Sequence, residues 1–202
     1  MKKPKPERHP PKFKTTFLKR RAPDDPRLEA LKSWCGVFHR SGLAPSYGLG
    51  SHGNLSFRVK PGGNRFIITA SAIRLKNRLT RRCFFEVNRA DLRTNTVSGA
   101  GVRRPSSESL MHEAIYRKRR DIHAIFHGHC PQILARAARL GIPETPEELP
   151  YGTAALAESV SAALAGGFFA VMKNHGFVCL GKDLDDAGAR AVEMLGKALE
   201  KS

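Results

Sequence analysis

Two histidines separated by one glycine, His127-Gly128-His129 in the run DIHAIFHGHC, are the residues whose type and spacing point most directly to chemistry. On a strand, residues two apart project from one face, so both imidazoles can reach a single cation. Gly128 leaves the opposite face clear for close packing. The pair alone fits hydrogen-bonded core histidines equally well. A third imidazole, His175, lies in an Asn-His-Gly turn between the apolar runs of VMKNHGFVCLG. Alone it reads as an ordinary turn residue. Three neutral imidazoles with an open position would form a catalytic rather than a structural zinc site.

Glu108 is the fourth element. It opens a helix in PSSESLMHEAIY, on the face shared with Met111, His112 and Ile115, and is expected to point inward. A buried carboxylate needs a partner, and a metal is one. The competing reading is a helix-capping carboxylate, worth ~0.3–1 kcal/mol. Ser106 and Ser107 precede it, and hydroxyls beside the open N–H groups of a helix start form an anion site. Asn54 and Ser71 offer further donors. His52, beside a Gly-rich stretch, reads as a loop hydrogen-bonding residue. His112 reads as support for Glu108 one turn later, by packing or a hydrogen bond.

Positioning these groups requires strands through the histidines and helices around them. Leu28, Leu31, Trp34, Cys35 and Phe38 recur at helical spacing after Asp25-Pro26 and before Gly42. Leu55, Phe57 and Val59 alternate with polar residues as a strand, and the turn Pro61 to Asn64 leads to a partner at Phe66 to Thr69. Further strands are expected at Phe84 to Val87, after Asp91, at His123 to Cys130, at Phe168 to Met172 and at Phe177 to Leu180. Helices are expected from Pro105, from Pro131 to Leu140, from Ala154 to Leu164 and from Leu184 to Leu199. Short turns between the early strands imply antiparallel pairing. The fold class is therefore α/β: a three-layer sandwich with a central, mainly antiparallel sheet flanked by helices.

The chain has 202 residues, 41% hydrophobic and 26% charged, enough for one core-bearing domain. Residues 1–24 are Pro- and Lys-rich and are expected to be a largely disordered or extended basic tail, with Phe13, Phe17 and Leu18 as local docking points, and residues 25–202 to form the domain. Of the formal charge of +17, nine Lys or Arg and one Glu within residues 1–21 supply +8. The remainder is spread over the body, with clusters at Arg74, Lys76, Arg78, Arg81 and Arg82 and at Arg117 to Arg120. This balance favours anionic partners such as phosphorylated substrates, with nucleic acid as a less favoured partner. No apolar run reaches the ~18 residues of a membrane helix, and the four scattered cysteines read as reduced thiols of a cytoplasmic protein.

Taken in order, GNLSFR (Gly53 to Arg58), ITAS (Ile68 to Ser71), PSSESLMHEAIY (Pro105 to Tyr116), HGH (His127 to His129) and NHGFVCLG (Asn174 to Gly181) resemble the motifs of the class II aldolase/adducin family. The resemblance runs over about residues 25–199. It implies that His127, His129 and His175 bind zinc, or another divalent metal. Glu108 would ligate the metal at rest and act as acid/base. Asn54, Ser71, Ser106 and Ser107 would hold a substrate phosphate. It further implies a ring of four subunits with interfacial sites. The implied activity is a lyase cleaving or forming a C–C bond in a small, phosphorylated ketose through a metal-stabilised enediolate. Same-family alternatives are dehydration of methylthioribulose phosphate, epimerisation of a sugar phosphate, and a non-catalytic adducin-like binding role. One departure stands out: where the family usually reads Thr-Pro-x-Gly, this chain reads Thr69-Ala70-Ser71-Ala72. Tyr151 is a candidate neighbour of the site without an assigned role.

Overall fold

A computed structural model of the chain describes residues 12–47, 50–74 and 76–200. The elements follow in the order β1 (Lys14–Lys19), α1 (Leu28–Ser41), β2 (Ser46–Tyr47), β3 (Gly50–Ser51), β4 (Asn54–Arg58), β5 (Phe66–Thr69), β6 (Phe84–Asp91), β7 (Thr96–Gly101) and α2 (Ser109–Lys118). Then come β8 (Ala124–Gly128), α3 (Pro131–Arg136), α4 (Ala154–Leu164), β9 (Phe169–Met172), β10 (Gly176–Gly181) and α5 (Leu184–Leu199).

Eight strands form one sheet in the order β1-β7-β6-β5-β4-β8-β10-β9. Every neighbouring pair is antiparallel except β1 with β7. Alternation along each strand divides its side chains between two cores. Leu55 and Phe57 of β4, Phe126 of β8 and Phe177 of β10 pack with Leu28, Leu31 and Phe38 of α1 on one face. Ile68 of β5, Ile125 of β8 and Val178 of β10 pack with Leu110 and Ile115 of α2 and Leu156 and Val160 of α4 on the other. Burying a Leu, Ile or Phe side chain contributes ~1.5–3 kcal/mol, so both faces hold the sheet. This is the expected three-layer α/β sandwich.

The expected tail needs correction. Residues 1–11 lie outside the described residues, but residues 12–24 are placed, and Lys14–Lys19 forms an edge strand rather than a disordered segment. Phe13 is buried and Phe17 meets the Phe85 ring edge-on at 5.7 Å. Two aromatic anchors outweigh the lysines around them, whose exposed side chains leave the alternation intact. The helix from Pro131 is also shorter than expected, ending at Arg136.

Folding removes some members of the basic clusters from solvent or pairs them with acids, while Arg74, Arg78 and Arg82 stay exposed. Lys76 is buried, Arg81 pairs with Asp24 at 2.6 Å, and Arg119 pairs with Asp121 at 2.7 Å. All four cysteines are free thiols, three of them buried. Among the described residues no helix is long and apolar enough to cross a membrane.

Candidate active site

Register decides which side chains meet. Asn54 of β4 stands opposite His127 of β8, and Val178 of β10 stands opposite His127 from the other side. Cross-strand partners share a face, so Asn54 and His127 both project toward the α2 layer. Gly128 turns to the opposite face, where a Cβ would come within 2.5 Å of the Phe177 ring. The β9–β10 turn, with Asn174 at φ 54°, carries His175 to the same end of the sheet. Gly176 completes this approach: a Cβ there would lie 2.8 Å from His127 Cε1 and 3.1 Å from His129 Cδ2.

One nitrogen of each of His127, His129 and His175 falls within 4.8 Å of the others. His127 Nδ1–H donates to the Phe177 carbonyl at 2.8 Å, which orients the ring with Nε2 facing the cluster. That Nε2 stands 3.0 Å from His129 Nε2. Two ligand nitrogens on one tetrahedral zinc lie roughly 3.3 Å apart, so the convergence suits a shared ion. Burial, followed by the nearby His127 and His175, pushes the His129 pKa far below the usual imidazole range, so it is a neutral donor.

Glu108 is the N-cap residue of α2, yet its side chain makes no capping hydrogen bond. The carboxylate turns inward instead. Oε2 stands 2.9 Å from His127 Nε2 and accepts from Asn54 Nδ2 at 2.8 Å; Oε1 lies 3.3 Å from His175 Nε2. Burial raises its pKa, but His127 and His175 more than offset this and hold it well below the usual carboxylate range. Oε1 is buried and makes no hydrogen bond among the described residues. A buried carboxylate oxygen left over beside three imidazoles is what a cation site requires. The donor set therefore fits a divalent ion held by His127, His129 and His175 with Glu108 adjoining.

The expected anion-binding residues gather around one cavity with Glu108, His129 and His175, about 200 Å³ in volume. An isolated bridge between Ala70 and Pro105 ties the loop after β5 to the start of α2. Ser106 N–H donates to the Thr69 carbonyl at 3.1 Å, and Ser71 N–H donates to the Arg104 carbonyl at 2.9 Å. Asn54, Ser71, Ser106 and Ser107 all line the cavity. Their hydrogen bonds differ. Asn54 serves Glu108, Ser106 Oγ accepts from Glu108 N–H at 3.3 Å, and Ser71 Oγ donates to the Pro105 carbonyl at 2.6 Å. Ala72 adopts φ 58°, the left-handed conformation a glycine would take without strain.

Sequence reasoning undervalued two lining residues. His52 stacks on His129 with ring centroids 4.3 Å apart. Lys76 was grouped with surface arginines but is 2% exposed and lines the cavity. Its spacing of three from the buried Ile73 was the available signal. Tyr151 also lines the cavity, with Lys12 Nζ 4.2 Å from its ring centroid. His112 is buried, and its Nδ1 pairs with Ser56 Oγ at 2.7 Å. It packs behind Glu108, and burial lowers its pKa to about 3.

Comparison with known proteins agrees with this geometry. The family model described as "Class II Aldolase and Adducin N-terminal domain" matches residues 30–198. An L-fuculose phosphate aldolase of Methanococcus maripaludis is 34% identical over 155 residues, 70% of this chain and 79% of that protein. A 3-oxo-tetronate 4-phosphate decarboxylase of Haemophilus influenzae is 30% identical over 175 residues, 77% of this chain and 79% of that protein. A solved L-fuculose 1-phosphate aldolase structure superposes with a TM-score of 0.70 at 24% identity, covering 88% of this chain and 84% of that one, a likeness of fold. On these likenesses the chain, which also carries a cluster of three imidazoles, belongs to the class II aldolase and adducin family and is an enzyme of the aldolase type.

Proposed function

We propose that the chain is a zinc-dependent lyase that cleaves or forms a C–C bond in a small phosphorylated ketose. The observation carrying this reading is the convergence of three imidazole nitrogens within 4.8 Å of one another on a carboxylate that caps nothing. In this reading His127, His129 and His175 hold the ion, with Glu108 as a further ligand at rest. A bound zinc ion supplies a Lewis acid for the charge that develops on a substrate carbonyl oxygen.

The chain's own residues do the rest. Glu108, ionised at neutral pH and held at Oε2 by the Asn54 amide, takes a proton from a substrate hydroxyl or returns it. The stacked His52 ring restricts the movement of His129. Ser106, Ser107 and Asn54 line the wall where the substrate phosphate is read to sit, and Ser71 borders it with its donors already engaged. A ring of four subunits belongs to the same reading and is tested by light scattering on the purified chain.

The test is a panel of ketose 1-phosphates offered to the zinc-loaded protein. C3–C4 cleavage would release an aldehyde and a three-carbon ketose phosphate. A second reading, the same site losing carbon dioxide or water from a sugar-acid or deoxy-ketose phosphate, is favoured by the decarboxylase relative. Release of carbon dioxide or water without an aldehyde product would select it. An adducin-like binding role without catalysis is disfavoured by the complete set of three histidines and Glu108.

A further inference from the structure

Lys76 is a buried cation without an anionic partner. Among the described residues no carboxylate lies within ion-pair distance of its ammonium group. Nζ donates to Ser51 Oγ and to the His52 carbonyl, both at 2.7 Å, and reaches the Ser51 carbonyl only at 3.5 Å. Two of its three protons are thus placed well, and the third makes a contact too long to be a good hydrogen bond. Retaining a charge under these conditions is costly unless something compensates it. Among the described residues the compensation is partial, a favourable charge interaction with Glu108 beyond ion-pair contact, and Lys76 faces the cavity. Among the described lining residues it is the one lysine or arginine.

The alternative anchor on that wall is already engaged. The Ser71 backbone N–H is used by the Arg104 carbonyl, and its hydroxyl proton by the Pro105 carbonyl at 2.6 Å. Toward the cavity this hydroxyl presents lone pairs, which repel an ionised oxyanion. Ala72 adds a methyl group on the same turn, at φ 58°.

We propose that Lys76, rather than Ser71, is the charged anchor for the oxyanion group of the substrate, a phosphate or a carboxylate. The ammonium group completes its third hydrogen bond on that oxyanion and is neutralised by it. Ser51 and the His52 carbonyl hold it in place meanwhile, and the substrate then spans from Lys76 to the imidazole cluster. This inference rests on the reading of the cavity as a substrate site and adds the residue that selects for charge.

The test measures binding of inorganic phosphate and of malonate to the full chain by calorimetry, with zinc content determined in parallel. A charge-assisted hydrogen bond is worth about a tenfold change in affinity or more. K76M is expected to weaken the better-bound of the two anions at least about tenfold and clearly more than S71A does, while the charge-conserving K76R stays within roughly threefold of the parent. The anion preferred by the parent identifies the substrate group. Binding by K76M within about twofold of the parent, or a tenfold loss in S71A instead, would overturn the proposal. K76Q keeps the test usable should K76M fold poorly: a folded K76Q that binds the anion within about twofold of the parent counts against the proposal. Anion binding lost in K76M with zinc retained supports the anchor whatever the reaction is. A chain that takes no zinc yet binds the anion through Lys76 sinks the lyase reading and leaves this one standing.

Discussion

Asn54 Nδ2 donates to Glu108 Oε2 across 2.8 Å, joining the start of a central strand to the start of the helix that covers it. The two residues are 54 positions apart in the chain, and their contact is made by the sheet register that sets Asn54 opposite His127. The Glu108 carboxylate is thereby held by a neutral donor on one oxygen, with the other left beside His175.

Removing that donor tests how much the arrangement matters. N54A frees Glu108 Oε2 and leaves the carboxylate to rotate. It is expected to cost about 1–3 kcal/mol of stability and to weaken zinc binding about 10–100-fold, the usual effect of losing a group that orients a ligand. Chemical denaturation and a competitive zinc titration read the two effects separately. A variant with unchanged zinc affinity would show Asn54 to be packing alone.

Gly176 offers a steric test of the histidine cluster. A methyl group there would press on the Gly128 carbonyl, on His127 and on His129. Substitution by Ala is expected to destabilise the chain by roughly 1–3 kcal/mol, as overpacking does, and to lower zinc occupancy more than a surface Gly-to-Ala change. Gly166, where a Cβ would meet nothing within 4 Å, is the control.

Ala72 predicts a gain rather than a loss. Its φ of 58° suits glycine, and A72G relieves that strain. The flexibility of glycine in the unfolded chain offsets part of the relief. A net stabilisation of up to about 1 kcal/mol is expected, read as a higher denaturant midpoint with an unchanged slope. A clear fall in midpoint would contradict the assigned backbone conformation.

Lys76 makes stability depend on alkaline pH. Burial lowers its pKa from 10.5 to about 8. Between these values the unfolded chain holds the proton and the folded chain does not, so stability rises as pH increases from about 8 toward 10.5. The full contribution is on the order of 3 kcal/mol. Burial raises the Cys35 pKa from 9.0 to about 12, which acts in the opposite direction above pH 9.0. The informative quantity is therefore the difference between the parent and K76M, which is expected to grow most clearly between about pH 8 and 9. A difference independent of pH would show that Lys76 is not buried as a charged group.

Most of the scaffold was legible because periodicity writes it directly. The alternation around Leu55 and Phe57, the helical spacing from Leu28 to Phe38 and the Pro61–Asn64 turn each appear in the structure near their expected positions. The histidine pair was legible from its spacing, although β8 ends at Gly128 and His129 lies one residue beyond the strand. What sequence could not supply was anything decided by distant partners. β1 exists because Phe13 and Phe17 find a core built from residues far along the chain. Lys76 sits among arginines in sequence, and it turns inward because the Ser51 hydroxyl and the His52 carbonyl, brought near by the fold, offer it acceptors. The choice of Glu108 between capping and cation chemistry was likewise open until the imidazoles were placed around it.

The most direct measurement is the zinc content of the purified full-length chain beside H127A, H129A and H175A. The account expects about one ion per chain in the parent and substantial loss in each variant, with the fold retained by circular dichroism. Stoichiometric zinc persisting in all three variants would contradict it, because no shared ion could then depend on those imidazoles.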